Sequence, residues 1–493
     1  MQIQILKAKN GEDTASVDGH FLHSNYAPKK EAERFVENLK LPYTPSSIII
    51  SEPALSHTAG YLRKKFPGIK LGVIRYSSFF SSYNSTFDFV LNYSSHSDFE
   101  TYLETKLSEE ELLTTFFVSW TPSAQIFKEE DKKVWLAIKA AMERAKTLLI
   151  TRQYFEKKWF LNSCRFLKNL HTVVNFQGLI EKDLLIISSG PSLKPYLQFI
   201  RENQNSFFII CLSSAISLCL ANKIIPDLCM TSDGGFWAGE HLKKLKKYDI
   251  ALAMPAEAYC PQGLFSHLKI LPLKYGEGIS KELMEAAELN CKNAVRNGTV
   301  SGTALLFGIQ YFTKNIFMCG LDMAPQTGYQ HTQPNELETN SAAKDFRLST
   351  KEGRLARAEL AGSSLDIYRS WFSGTHFKLD NGRGLYRLIE KENRKNSLGE
   401  IKDINLDTFR NMLSPASKKH VFFTERINYN FSRSNILKLF KDSKRTDEWK
   451  KQLFPLDYVL LSHNPSSSET LEKIETEWKQ LKKKAEDILN ENI

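Results

Sequence analysis

Five runs between residues 183 and 322 constrain this chain more than any other feature. LLIIS (184–188), FFIICL (207–212), DLCMTSD (227–233), IALAMP (250–255) and NIFMCGLD (315–322) are apolar almost without interruption, and helical stretches separate them. A strand with one wet face alternates apolar and polar residues. Continuous apolar strands are buried on both faces, which requires helices on each side of a mostly parallel, doubly wound α/β sheet, Rossmann-like in layout.

The flanks read differently. SSIII (46–50), GIKLGVIRY (68–76), FDFVLNY (87–93) and TTFFVSW (114–120) alternate with helical patterns and predict a smaller α/β domain over residues 1–150. A helical connector is expected over 151–180, the central domain over 181–386, and a charged, helical C-terminal region over 387–493. A chain of 493 residues is long for one core, so several domains are the expectation.

Composition excludes some classes of function. The net charge of +10 is spread along the chain instead of forming a basic stripe, so nucleic acid is not an expected partner. Seven cysteines without a CxxC read as buried reduced thiols, with neither disulfides nor a zinc site expected. The first residues lack the apolar core of a signal peptide, and the most apolar run, 207–221, carries three serines. A cytoplasmic protein without a membrane span is expected.

Four strand ends carry candidate chemistry. In IISSGPSLKPYL, Gly190 permits close backbone approach, Pro191 pre-sets the first helical turn, and Ser192 offers a hydroxyl beside helix N–H groups. In NGTVSGTALLFGIQYF, Thr299, Ser301, Gly302 and Thr303 open an apolar helix in the same way. Neither stretch is a Walker P-loop or a GxGxxG fingerprint, which disfavours kinase-type ATP binding and NAD. IIPDLCMTSDGG places Asp233 at a strand end, with Asp227 read as a turn residue, and CGLDMAPQTGYQHT leads from Asp322 to a loop bearing His331. Carboxylates at such ends face the ligand crevice of a parallel sheet, and a loop histidine has the pKa of a general base near neutrality.

Taken in order, SSGPSL, IIPDLCMTSD, GTVSGTALLFG and IFMCGLDMAPQTGYQHT resemble the motility-associated factor (Maf) flagellin glycosyltransferases, whose central domain is similar to a pterin pyrophosphokinase-like domain. DGHFLHSNYAPKKEAERFV (18–36) and LSHTAGYLRKKFPG (55–68) resemble the N-terminal segment of that family. The central part is also similar to bacterial CMP-sialic acid transferases, whose GNGPSLK turn has Asn where Ser189 stands here; their Ser-Gly pair matches Ser301 and Gly302, and their GID strand end matches Gly320, Leu321 and Asp322.

The resemblance implies inverting transfer of a nonulosonic acid, of pseudaminic or legionaminic type, from its CMP-activated donor to Ser or Thr hydroxyls of flagellin, in support of flagellum assembly and motility. It implies Ser189, Gly190, Pro191, Ser192, Thr299, Ser301, Gly302, Thr303 and Asp322 as the donor-nucleotide site, with His331 as first choice of base and Asp233 as second. No cofactor beyond the CMP-sugar is required, and no metal ligand is assigned. Metal dependence and oligomeric state stay open. Two other readings remain: a pterin-type pyrophosphokinase using ATP and Mg²⁺ held by Asp227 and Asp233, and a non-catalytic flagellin-binding scaffold.

Overall fold

The computed structural model describes residues 2–93, 98–324, 329–353, 363–380, 382–390, 396–413, 423–426 and 429–490. It divides into two compact units, one of residues 1–156 with 447–480 and one of residues 157–446 with 481–493.

The smaller unit holds an antiparallel three-stranded sheet, β1 (Ile3–Lys7), β2 (Asp13–Val17) and β3 (His20–Phe21), and a parallel sheet of β4 (Ser47–Ser51), β5 (Lys70–Arg75), β6 (Phe89–Asn92) and β7 (Phe116–Ser119) in the order β6-β5-β4-β7. All four runs expected as strands in this region form that second sheet. A buried Arg75–Glu52 ion pair of 3.0 Å lies behind β4, and Arg75 also donates to the Ala54 carbonyl and the Ser56 hydroxyl. The loop it holds, Glu52 to Ser56, contains three non-glycine residues at positive φ.

The larger unit is built on an 11-stranded sheet. Its members are β8 (Thr172–Asn175), β9 (Asp183–Ile187), β10 (Phe207–Leu212), β11 (Leu228–Met230), β12 (Ala251–Pro255), β13 (Lys269–Lys274), β14 (Lys292–Asn293), β15 (Ile316–Cys319), β16 (Leu385–Leu388), β17 (Lys402–Ile404) and β18 (Thr424–Arg426). The order is β17-β16-β15-β9-β10-β11-β12-β13-β8-β18, with β14 beside the end of β13. Every pairing is parallel except β18 on β8. Each of the five apolar runs supplies a strand, and β9, β10 and β12 are buried at every position, as two covered faces demand.

The region from 387 is largely helical, as expected, and it adds what the sequence did not show: β16, β17 and β18 extend the large sheet, and the helices after them are shared between the two units. Their short runs, such as LYRL, lie among charged residues and lack a long apolar signal; Arg387 in β16 is nonetheless fully buried, neutralised by two 2.7 Å bonds to Asp403. The charged, aromatic stretch from Lys128 to about Leu170, free of Pro and Gly and expected to be helical, forms one 42-residue helix, Lys128–Asn169, and β8 follows it within the span 151–180. Of the cysteines, six are buried and Cys291 is half-buried, all as free thiols. No helix among the described residues is long and apolar enough to cross a membrane.

Candidate nucleotide site

The chain runs outward from β9 through β10, β11, β12 and β13, then returns to lay β15 on the other side of β9. Strand order therefore reverses between β9 and β15. In an open parallel sheet, connections leave in opposite directions at such a point and open a crevice at the carboxyl ends of the strands. Two of the four sequence motifs end there. The Ser188 amide donates to the Cys319 carbonyl at 2.8 Å and the Gly190 amide to the Gly320 carbonyl at 2.9 Å, so the two strand ends stay in contact past the sheet. This closeness explains the glycines: a Cβ on Gly190 would sit 2.5 Å from the Gly320 carbonyl oxygen, and one on Gly320, at φ +72°, would sit 2.2 Å from that of Ser188.

The second hydroxyl-rich stretch meets the first. Thr299 caps the Val300–Tyr311 helix, its side chain accepting from the Gly302 amide at 2.9 Å. The Asn297 carboxamide oxygen accepts from the Thr299 amide at 3.0 Å, and it is the atom a Cβ on Gly302 would strike at 2.1 Å. With those two amides capped, Val300 and Ser301 present the N–H groups that the first turn of a helix cannot bond internally. The Ser301 hydroxyl lies 3.3 Å from that of Ser188, joining the helix start to the end of β9. Thr303, one turn in, is fully buried.

The first turn differs from expectation. Pro191–Tyr196 is a 3₁₀ segment and not the start of an α-helix, and the Ser192 amide donates to Asp322 Oδ2 at 3.1 Å. A carboxylate from the β15 end thus occupies the place expected for an incoming anion. Pro195, four residues after Pro191, disfavours α geometry there. The Ser189 hydroxyl turns toward Ser214, 3.0 Å away, so Ser188, which the sequence reading passed over, is the residue of the pair that meets Ser301.

His331 reaches this crevice through its neighbour. The Thr332 amide donates to the Ser189 carbonyl at 2.7 Å and the Thr332 hydroxyl to the Gly190 carbonyl at 2.9 Å, laying the loop against the turn after β9. The Gln330 and His331 amides both donate to Glu338 Oε1, and His331 Nδ1 lies 3.4 Å from the same oxygen. Residues 325–328 of that loop lie outside the described residues. Asp233 is exposed at the end of β11, two strands from β9, and caps its own turn by accepting from the Gly235 amide at 2.8 Å. Asp227 precedes β11 and accepts from the Ile209 amide at 2.8 Å, at the opposite edge of the sheet. Six residues of extended chain span about 20 Å, so Asp227 and Asp233 cannot share a metal ion.

The carboxyl ends of β12 and β13 carry a charged cluster that the motifs do not announce. Arg296 lies over the rings of both Tyr275 and Trp159, 4.7 and 5.0 Å from their centroids, and donates to Glu257 at 2.7 Å. Glu257 is buried after the end of β12 and also accepts from the Ser280 hydroxyl. Burial, then the charge of Glu257, pushes the Tyr275 phenol up to about 12, against the opposing charge of Arg296. Arg296 stands five residues before Ser301 in the sequence, a spacing that was visible, but its aromatic partners come from remote segments.

Comparison with known proteins gives three likenesses. Residues 159–328 match the family described as 6-hydroxymethylpterin diphosphokinase MptE-like. A protein of Treponema pallidum (strain Nichols), described as uncharacterized, is 29% identical over 275 residues, covering 55% of this chain and 59% of the relative; the match thus spans under two thirds of that relative's length. The structure of a MAf glycosyltransferase from Magnetospirillum magneticum AMB-1 is similar with a TM-score of 0.47 and 12% identity, covering 99% of this chain and 91% of that one.

Proposed function

We propose that the larger unit is a glycosyltransferase that moves a nonulosonic acid from its CMP-activated form to a Ser or Thr hydroxyl of flagellin, with inversion at the anomeric carbon. The observation that carries the nucleotide part is the open start of the Val300–Tyr311 helix, with its Val300 and Ser301 amides and the Ser188–Ser301 hydroxyl pair, set in the crevice where strand order reverses. Amides and hydroxyls at a helix N-terminus hold a phosphate without a P-loop lysine. The sugar and the acceptor rest on the motif resemblance.

In the reaction the glycosidic C–O bond to the CMP phosphate breaks and its electron pair leaves with the phosphate. The acceptor oxygen attacks the opposite face of an oxocarbenium-like carbon and gives up its proton. Donors already aimed at the departing oxygen stabilise the charge that grows there. His331 is the base in this scheme, oriented through Glu338 and the anchored Thr332.

The match of residues 159–328 favours a second reading, pterin diphosphate synthesis from ATP. Against it stands the separation of Asp227 and Asp233. Intact-mass analysis of flagellin after incubation with the protein and CMP-pseudaminic or CMP-legionaminic acid tests the first reading. One sugar-residue mass gained per site supports it. Conversion of 6-hydroxymethylpterin and ATP to 6-hydroxymethylpterin diphosphate and AMP, with flagellin unmodified, replaces it by the second.

A further inference from the structure

We infer that Arg296 is the cation that reads the phosphate of the bound nucleotide, pre-set in plane by Tyr275 and Trp159 and along one edge by Glu257. This deepens the nucleotide reading of the crevice and rests on it.

Charge sets what an incoming anion needs here. The β15 side of the crevice carries the Asp322 carboxylate, fixed on the Ser192 amide at 3.1 Å. The helix start offers only neutral hydroxyls and amides. A phosphate anion entering between them is repelled from the β15 side and needs a positive group on the other. Arg296 is on that other side: it precedes the capping residues Asn297 and Thr299, and it lies over the ring of Tyr275, which follows the carboxyl end of β13. The Arg296 side chain is 33% exposed, enough to meet a ligand, while that of Glu257 is 8% exposed and faces inward.

The second part is preorganisation. A surface arginine loses rotamer freedom when it binds, whereas one held against two rings with an edge anchored on a buried carboxylate has lost it already. Glu257 also has a structural use for this cation, since a buried carboxylate needs a partner. That use does not require two aromatic faces. The pairing of a planar, fixed fork with a helix N-terminus suits a phosphate, whose oxygens accept from both at once.

The test is calorimetric titration of the full chain with CMP and cytidine, then with UMP, AMP and GMP against their nucleosides, for the wild type, R296Q and R296K. The wild type is expected to favour CMP over cytidine at least tenfold. R296Q is expected to erase most of that preference while leaving cytidine affinity unchanged, and R296K to fall between, because a lysine keeps the charge and loses the fork. Should R296Q fail to melt cooperatively, R296K carries the test, with a severalfold loss confined to the phosphate-bearing ligands. If another nucleotide is the one preferred and R296Q abolishes that preference, the inference stands and the CMP-donor reading falls. An unchanged preference in both variants overturns the inference and leaves the donor reading intact. A wild type that favours no nucleotide over its nucleoside overturns both.

Discussion

The Ser188 and Ser301 hydroxyls lie 3.3 Å apart, although 113 residues separate them in sequence. One belongs to the strand end after β9 and the other to the first turn of the Val300–Tyr311 helix, so their meeting converts two ordinary strand-to-helix turns into one site. Ser189, the better-advertised residue of the SSGPS turn, is engaged with Ser214 at 3.0 Å.

That division predicts opposite outcomes for adjacent serines. Ser188→Ala and Ser301→Ala should each weaken CMP binding about tenfold or more, the effect of losing a hydrogen bond to a charged group. Ser189→Ala should change it less than twofold. Calorimetric titration of the three variants checks this, and equal losses at 188 and 189 would contradict the assignment.

Gly190→Ala should be severely destabilising, because the new methyl meets both Asp322 Oδ2 at 2.0 Å and the Gly320 carbonyl at 2.5 Å. The carboxylate can move; the backbone between two parallel strands cannot. A loss of about 3 kcal/mol is expected in urea denaturation, and adding Asp322→Ala should recover only part of it.

His331→Ala should lower kcat for transfer by about 10² to 10⁴ and leave CMP affinity unchanged, as expected for a general base outside the phosphate site. Transfer assays and CMP titration on one preparation separate the two effects. Full activity in that variant would move the role to Asp233.

A pH effect is expected from the smaller unit. Burial, with the nearby His57 in support, holds the His23 imidazole down to about 3 from its ordinary 6.5. The unfolded chain therefore takes up a proton below 6.5 that the folded chain refuses until about pH 3. The stability is present in full above 6.5 and falls by roughly 1.4 kcal/mol per pH unit as the pH drops below it. Denaturation at pH 7, 6 and 5 should show this slope, and His23→Gln should flatten it.

Continuous apolar strands made the large parallel sheet legible, because burial on both faces leaves no polar alternation and the spacing between runs leaves room for crossovers. The strands β16, β17 and β18 were not legible: at three or four residues each they hold no periodicity, and β16 buries an arginine whose partner, Asp403, lies 16 residues on. At the site, sequence showed which turns matter, since small residues are required wherever two strand ends come within a Cβ of each other. It did not show which hydroxyl faces which neighbour, because Ser188 and Ser189 differ only in the direction the backbone gives them. Arg296 escaped notice for a related reason: Trp159, Glu257 and Tyr275 come from three other segments, and only the fold assembles them.

The most direct test of the nucleotide site is the melting temperature of the purified protein with saturating CMP, and separately with ATP plus Mg²⁺. At a ligand concentration 100 times the Kd, binding to the folded state adds about 2.7 kcal/mol, enough for a clear rise. CMP should produce that rise, and a Ser188→Ala, Ser301→Ala double variant should lose it. A rise with ATP and Mg²⁺ alone, or a CMP shift that survives in the double variant, would contradict the site's assignment to CMP.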